Sequence, residues 1–194
     1  MKKIVGINGS PNKNGNTYYL LDKIGEIIKN EGVEFEILNL NDALSGLKVP
    51  FCLVCSTPCN QACYKDSEFY EIVKKAIAAD GVIFGTPVYF GSMTAQLKCF
   101  FDKMRYYRGE KSFFRKPAAV VTVGASKYGG QETTTRAVHD SMFILGMQVV
   151  NNGFSDYDCG HFGVNAQKPA ENDEFANQKL ISLAKRMLLE IKNQ

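Results

Sequence analysis

Three groups of residues stand at spacings that suit chemistry. The first is Gly9-Ser10-Pro11-Asn12-Lys13-Asn14-Gly15-Asn16-Thr17, where small hydroxyl and amide side chains lie between and just beyond two glycines. The second is Cys52, Cys55, Cys59 and Cys63, four thiols within twelve residues in the pattern C-x2-C-x3-C-x3-C. The third comprises two later loops, Gly85-Thr86-Pro87-Val88-Tyr89-Phe90-Gly91-Ser92 and Gly124-Ala125-Ser126-Lys127-Tyr128-Gly129-Gly130-Gln131-Glu132. One offers flat apolar rings, and the other paired glycines that permit close backbone approach.

The first loop suits a phosphate. It offers backbone N–H groups, neutral donors and the positive end of the helix dipole at one point. A dinucleotide fingerprint needs Gly-x-Gly-x-x-Gly, and a nucleoside-triphosphate loop needs a Gly-Lys-Ser/Thr ending. Here Gly9 and Gly15 are six positions apart, Asn16-Thr17 replaces Lys-Ser, and the loop contains no cysteine. No acidic cluster follows to hold Mg²⁺. A cradle of Ser10, Asn12, Asn14, Asn16 and Thr17 remains, suited to a monophosphate anchor. The competing reading is an ordinary turn with Asn16 or Thr17 as an N-cap. Tyr89 and Phe90 suggest a flat aromatic guest, or else core rings at a helix start.

These loops need elements to hold them. Ile4–Ile7, Val82–Phe84 and Pro117–Val123 read as fully buried parallel strands, Val33–Leu38 alternates as a strand nearer an edge, and Met147–Asn151 reads as the last strand. Helical spacing follows the first loop at Leu20, Leu21, Ile24, Ile27 and Ile28, and recurs over Phe69–Ile77, Met93–Met104, about 132–145 and Phe175–Ile191. Asn39–Pro50 has no clear period, and Phe154–Pro169 reads as irregular, holding Asp156, Asp158, Cys159, Gly160 and His161. Alternating strands and helices predict one α/β domain over residues 1–194: a flavodoxin-like, doubly wound, five-stranded parallel sheet in the order 2-1-3-4-5. The cysteine loop is an excursion from it at about 41–66. In such sheets ligands sit beyond the carboxyl ends of the strands, so the loops at 9–17, 85–92 and 124–132 should face one crevice.

Composition excludes other classes. With 45% hydrophobic residues over 194, the chain can bury a full core. A net charge of +3 without a basic run argues against nucleic acid. The apolar run after Met1-Lys2-Lys3 breaks at Asn8, too short for a signal peptide, and no segment approaches the roughly 20 apolar residues a bilayer span needs. The expectation is a cytoplasmic protein without a membrane partner. Clustered cysteines there more often bind metal or do redox work than pair.

Together, Gly9-Ser10-Pro11 with Gly15-Asn16-Thr17, the run Gly85–Ser92 with Ala95-Gln96-Leu97-Lys98, and Gly129-Gly130-Gln131-Glu132 resemble the NADPH-dependent FMN reductase family. The similarity is closest to its iron-sulfur flavoprotein branch and extends from Ile4 to about Val150. The resemblance implies bound FMN, with its phosphate on Ser10, Asn12, Asn14, Asn16 and Thr17. Pro87, Val88, Tyr89, Phe90 and Gly91 would line the ribityl chain and ring, and Ala125, Tyr128, Gly129 and Gly130 would close the other side. It implies hydride transfer from NADPH or NADH to the flavin, then electron delivery to a flavin, quinone or redox protein. A carrier that docks to ferredoxin-like partners, with little direct NAD(P)H activity, is the alternative. No side chain is nominated as a catalytic acid or base, since the chemistry is the flavin's. A homodimer or homotetramer is implied, with Met104–Tyr107 and Phe113-Phe114 as interface candidates.

Four soft ligands on one short loop suit a compact iron–sulfur cluster such as [4Fe-4S] better than zinc, which favours two separated pairs. The branch usually places two residues between the second and third cysteines, whereas this chain has three, with Pro58 before Cys59. Free thiols, zinc and a disulfide remain the other readings. Cys99 and Cys159 read as bystanders. His139 reads as a packing or surface residue and His161 as a loop residue within reach of the crevice. Asp102, Arg105 and Arg108 read as a solvated face, with attraction of a nucleotide as the other reading.

Overall fold

The computed structural model describes residues 1–154 and 158–193; the expectation about Asp156 falls outside the described residues. Strands β1 (Lys3–Asn8), β2 (Glu34–Asn39), β3 (Gly81–Pro87), β4 (Pro117–Gly124), β5 (Gln148–Val149) and β6 (Val164–Gln167) form one parallel sheet. Its order is β2-β1-β3-β4-β5, with β6 also paired to β4, which is the flavodoxin-like arrangement. The helices are α1 (Asn16–Asn30), α2 (Leu40–Ser45), α3 (Glu68–Ala78), α4 (Ala95–Lys103), α5 (Arg105–Gly109), α6 (Gln131–Ile144) and α7 (Glu174–Lys192).

The sheet has two apolar layers, one on each side. On one face Leu20, Leu21, Ile24 and Ile28 of α1 pack with Leu180, Leu183, Met187 and Ile191 of α7 over Ile4, Ile83 and Val121. On the other, Phe69, Ile72 and Val73 of α3, Leu97 and Phe100 of α4, and Val138 and Met142 of α6 cover Val5, Ile7, Phe84 and Val120. Two covered faces explain why β1, β3 and β4 read as unbroken apolar runs rather than as alternation.

The fifth sheet position departs from expectation. Beside β4 lie two short segments in series: Gln148 and Val149 pair with Pro117 and Ala118, then Val164–Gln167 pairs with Val121–Gly124. The reading of Phe154–Pro169 as wholly irregular is therefore corrected by β6. Asn152, 3% exposed, makes the splice. Its Nδ2 donates to the Gly163 carbonyl at 2.8 Å, and its Oδ1 accepts from the His161 N–H at 2.6 Å. A buried amide thus supplies the pairing that a continuous strand would have supplied. The stretch Asn39–Pro50, which shows no period, contains the six-residue helix α2, too short to leave a legible repeat. The cysteine excursion accordingly begins after Ser45 and ends at the α3 cap, Ser67.

Candidate functional site: a crevice of three loops and a thiol loop beside it

The three loops lie at the carboxyl ends of β1, β3 and β4, as the topology requires, and are stitched together. The Gly9 N–H donates to the Gly85 carbonyl at 2.8 Å. A Cβ on Gly9 would lie 2.8 Å from Leu97 Cβ and 3.0 Å from the Gly85 oxygen, so glycine is what allows the first loop to approach α4. Thr94, fully buried, donates from Oγ1 to the Gly9 carbonyl at 2.5 Å and accepts from the Leu97 N–H at 3.2 Å, capping α4. Its own N–H donates to Thr86 Oγ1 at 3.2 Å. The second loop is tied to β4 where the Val88 N–H reaches the Val123 carbonyl at 2.9 Å, and it meets the third loop where a Cβ on Gly130 would stand 3.2 Å from Gly91 Cα.

Within the first loop, successive polar side chains hold the turn. Asn8 Oδ1 accepts from the Ser10 N–H at 3.0 Å, Ser10 Oγ from the Asn12 N–H at 3.1 Å, and Asn12 Oδ1 from the Asn14 N–H at 3.2 Å. The ordinary-turn reading required Asn16 or Thr17 to cap α1. Instead the N-cap is Gly15, with no side-chain cap bond, and Asn16 Oδ1 accepts from the Ala170 N–H at 2.7 Å. Thr17 is 1% exposed. The first-turn amides of α1 lack intrahelical partners and face the loop without a capping side chain. α6 likewise starts at a glycine, Gly130, without a side-chain cap, whereas α3, α4 and α7 start at Ser67, Thr94 and Asp173, each accepting an N–H. Two of the helices that begin at these loops, α1 and α6, thus present bare dipole ends there.

The second loop turns at Phe90 and Gly91, with φ of 50° and 72°, inside a Tyr89–Ser92 bridge. Positive φ at both central residues is the backbone of a tight type I′ turn. It throws Phe90 wholly into solvent and leaves Tyr89 half exposed, so the reading of these rings as core aromatics is set aside. Pro87 and Val88 are half-buried at its base, while Ala125 and Tyr128 stand exposed on the third loop, with Gly129 and Gly130 less so. Gln131, unremarked among the sequence candidates, fixes that loop: its Nε2 donates to the Ser126 carbonyl at 2.7 Å and the Ala166 carbonyl at 3.3 Å. Below it, Asn165 Oδ1 accepts from Thr122 and Thr135, each at 2.7 Å.

A cleft of about 930 Å³ adjoins the third loop, lined by Tyr128, Gly130, His161, Lys168, Asp173 and Phe175 among others. It places His161 beside two of the ring-side candidates but away from the first loop. His139 is buried, its Nε2 without a hydrogen-bond partner among the described residues; burial lowers its pKa, against the opposing pull of Asp140. Asp102 pairs with Lys98, and Arg108 Nε donates to the Ile144 carbonyl at 3.1 Å, so both are engaged on the protein itself.

The cysteine loop lies under α4 and α5. Cys52 and Cys59 are half-buried, Cys55 and Cys63 exposed, and all four are free thiols in this structure. Among the described residues no three His, Cys, Asp or Glu side chains converge as a metal-binding group. The loop is pinned against these helices. Tyr64, 2% exposed, donates to the Lys103 carbonyl at 3.2 Å, and Tyr107 donates to Gln61 Oε1 at 3.4 Å. Arg105 reaches the Ser56 carbonyl at 3.4 Å. Burial, reinforced by the neighbouring phenol and thiols, drives the Tyr64 hydroxyl far above its ordinary pKa, and burial pushes Tyr107 up to about 12. Lys103, 1% exposed, extends into this loop. Thiols on one short loop are the donor type of a thiolate-bound cluster, but in this structure the four are not gathered at one point.

Fold and crevice define a flavodoxin-like protein. The overall structure is similar to the flavodoxin, WrbA-like protein of Agrobacterium tumefaciens, with a TM-score of 0.72 at 16% identity, covering 100% of this chain and 99% of that one. Residues 2–158 match the NADPH-dependent FMN reductase family, and the chain belongs to that family. It is 36% identical over 188 residues to an iron-sulfur flavoprotein of Methanocaldococcus jannaschii, covering 95% of both chains. It is 36% identical over 187 residues to the iron-sulfur flavoprotein of Methanosarcina thermophila, covering 95% of this chain and 93% of that one. Among the described residues no helix is long and apolar enough to cross a membrane.

Proposed function

We propose that this protein is an FMN-dependent oxidoreductase passing electrons from NAD(P)H, through flavin held in the three-loop crevice, to a flavin, quinone or redox-protein acceptor. The supporting observation is the joining of the loops at one end of the sheet, with the uncapped starts of α1 and α6 opening on it. In this reading the first-turn amides of α1, with Ser10, Asn12, Asn14, Asn16 and Thr17, fix the phosphate. Pro87–Gly91 and Ala125, Tyr128, Gly129 and Gly130 hold the ring. The flavin, when bound, supplies hydride acceptance and electron delivery. The chain contributes orientation: Phe90 and Tyr128 cover apolar ring surface and exclude water, while backbone N–H groups favour negative charge without a titrating side chain.

The cysteine loop supports a second reading, in which the protein is mainly an electron carrier serving ferredoxin-like partners. Cys52, Cys55, Cys59 and Cys63 would then hold a [4Fe-4S] cluster, a proposal consistent with the names of the relatives. The proposed assembly is a cytoplasmic homodimer or homotetramer, without nucleic acid or membrane partners. Of the interface candidates, Met104, Tyr107 and Phe113 are core residues, which leaves Tyr106 and Phe114 exposed. Exposed Val54 and Ile144 line a common groove and are further candidates.

The test is a visible spectrum of anaerobically purified protein followed by stopped-flow mixing. Flavin bleaching by NADPH or NADH supports the reductase. Bleaching by reduced ferredoxin alone supports the carrier. Protein that stays colourless after incubation with excess FMN overturns both. Light scattering that finds a monomer binding FMN tightly overturns the assembly.

A further inference from the structure

We infer that Gln131 is the positioning residue of the ring-side half of the crevice: by holding the Ser126 carbonyl it turns the Lys127 N–H outward as a hydrogen-bond donor to the flavin ring. This inference rests on the proposal that the three-loop crevice holds FMN. Gln131 is the first residue of α6 and is 5% exposed. Its Nε2 donates to the Ser126 carbonyl at 2.7 Å and to the Ala166 carbonyl at 3.3 Å, so one amide joins the third loop to β6. A glycine leaves the space it occupies: a Cβ on Gly124 would stand 2.6 Å from that nitrogen and 2.7 Å from Gln131 Cδ. The Gly129 N–H donates to the same Ser126 oxygen at 3.1 Å, and a Cβ on Gly129 would lie 3.0 Å from that oxygen.

A carbonyl oxygen has two acceptor positions, and Gln131 and Gly129 occupy both of those on Ser126. The Ser126–Lys127 peptide is trans, so its N–H points opposite to its oxygen. The oxygen faces Gln131, whose amide reaches on to β6, and the Lys127 N–H therefore faces away from β6. Since β6 flanks β4 on the side opposite β3, that direction leads toward the second loop. The Lys127 N–H has no acceptor among the described residues, and Lys127 is exposed. A donor fixed in direction before the ligand arrives saves the ordering that binding would otherwise require. Methionine would fill the volume of Gln131 but leave the Ser126 oxygen with one donor and the peptide free to turn over.

The test titrates wild type, Gln131→Met and Gln131→Glu with FMN by fluorescence, and competes inorganic phosphate against FMN, at about pH 5 and about pH 8, either side of a raised carboxyl pKa. Inorganic phosphate reports the first loop alone. Gln131→Met should bind FMN about tenfold more weakly than wild type at both pH values, with phosphate affinity unchanged. In Gln131→Glu the introduced carboxyl is buried against two carbonyl oxygens, which raises its pKa; protonated it donates to one of them, and ionised it donates to neither. Gln131→Glu should therefore bind FMN nearly as wild type does at the lower pH and about tenfold more weakly at the higher. Lys127 of the third loop, Glu132 of α6, His161 and Lys168 flanking β6, and Asp173, Glu174 and Lys179 at the start of α7 line the same cleft. All are common to the three proteins, as is the FMN phosphate, so the wild-type profile subtracts their titration. Variants that match wild type at both pH values overturn the inference and leave the flavin site standing. So does Gln131→Glu that tracks Gln131→Met at both, since packing alone would then account for the loss. Phosphate affinity that falls in step with FMN affinity also overturns it, because the first loop would then be disturbed. Wild type that binds no FMN overturns the proposed function as well. Should neither variant fold, wild type labelled with nitrogen-15 decides: the Lys127 amide resonance is expected to shift on adding FMN and not on adding inorganic phosphate, and an unmoved resonance overturns the inference.

Discussion

Thr94 is the joint between the first and second loops, and replacing it with valine tests whether the crevice is assembled as described. The side chain is fully buried, and its one hydroxyl serves both the Gly9 carbonyl, at 2.5 Å, and the Leu97 N–H, at 3.2 Å. Thr94→Val keeps the branched shape and deletes both bonds. Losing the helix cap costs about 1 kcal/mol. Leaving the Gly9 carbonyl unpaired in the interior costs roughly 1–3 kcal/mol more. The total is about 2–4 kcal/mol. Thr94→Ser keeps the hydroxyl and loses one buried methyl, worth about 1 kcal/mol. Urea unfolding of the apoprotein should therefore separate the two variants by about 1–3 kcal/mol with an unchanged denaturant slope. FMN titration should show Thr94→Val weaker than Thr94→Ser, tenfold for each ~1.4 kcal/mol spent in drawing the relaxed first loop back to the second. Equal unfolding midpoints for the two variants would refute the reasoning, because the hydroxyl would then not be what ties Gly9 to α4.

Three further outcomes are expected. Gly130→Ala places a side chain at φ 95° and 3.2 Å from Gly91 Cα, and should cost about 1–2 kcal/mol by chemical denaturation, whereas Gly46→Ala, at an ordinary φ of −76°, should be neutral or slightly stabilising. Phe90→Ala removes a ring that touches only solvent, so apoprotein stability should hold within about 0.5 kcal/mol while FMN affinity, read by fluorescence quenching, drops roughly threefold to tenfold. Burial holds His139 below its ordinary pKa, so the unfolded chain takes up the proton first as pH falls. Its contribution is intact above about pH 6.5 and is lost below it, and urea midpoints at pH 7 and 5.5 should fall less for His139→Gln than for wild type.

Much of the fold was legible because burial leaves its mark locally. A strand covered on both faces must be apolar at every position, and β1, β3 and β4 are; a helix covered on one face must repeat at its own pitch, as Leu20 to Ile28 of α1 do. Loop residues at strand ends could be named as crevice candidates for the same reason, since parallel topology dictates which ends face the ligand. What escaped were residues whose roles depend on distant partners. Thr94 falls inside the helical pattern that begins at Met93, and nothing near it announces Gly9. Gln131 stands at the end of the third loop in the sequence reading, and its amide reaches β6. Lys103 is a charged residue on an apolar stripe, and the carbonyl its ammonium reaches, that of Val49, lies about fifty positions earlier.

The parallel α/β order, the three glycine-bearing loops and the resemblance to the family could be read from neighbouring residues, because periodicity and turn chemistry are local properties. That the fifth sheet position is shared by β5 and β6, that Asn16 ties down Ala170 rather than capping α1, and that Phe90 faces water emerged with packing. Those outcomes turn on which hydrogen bonds remain unmade once the elements pack. That competition is settled between groups far apart in the chain, where no local pattern records it.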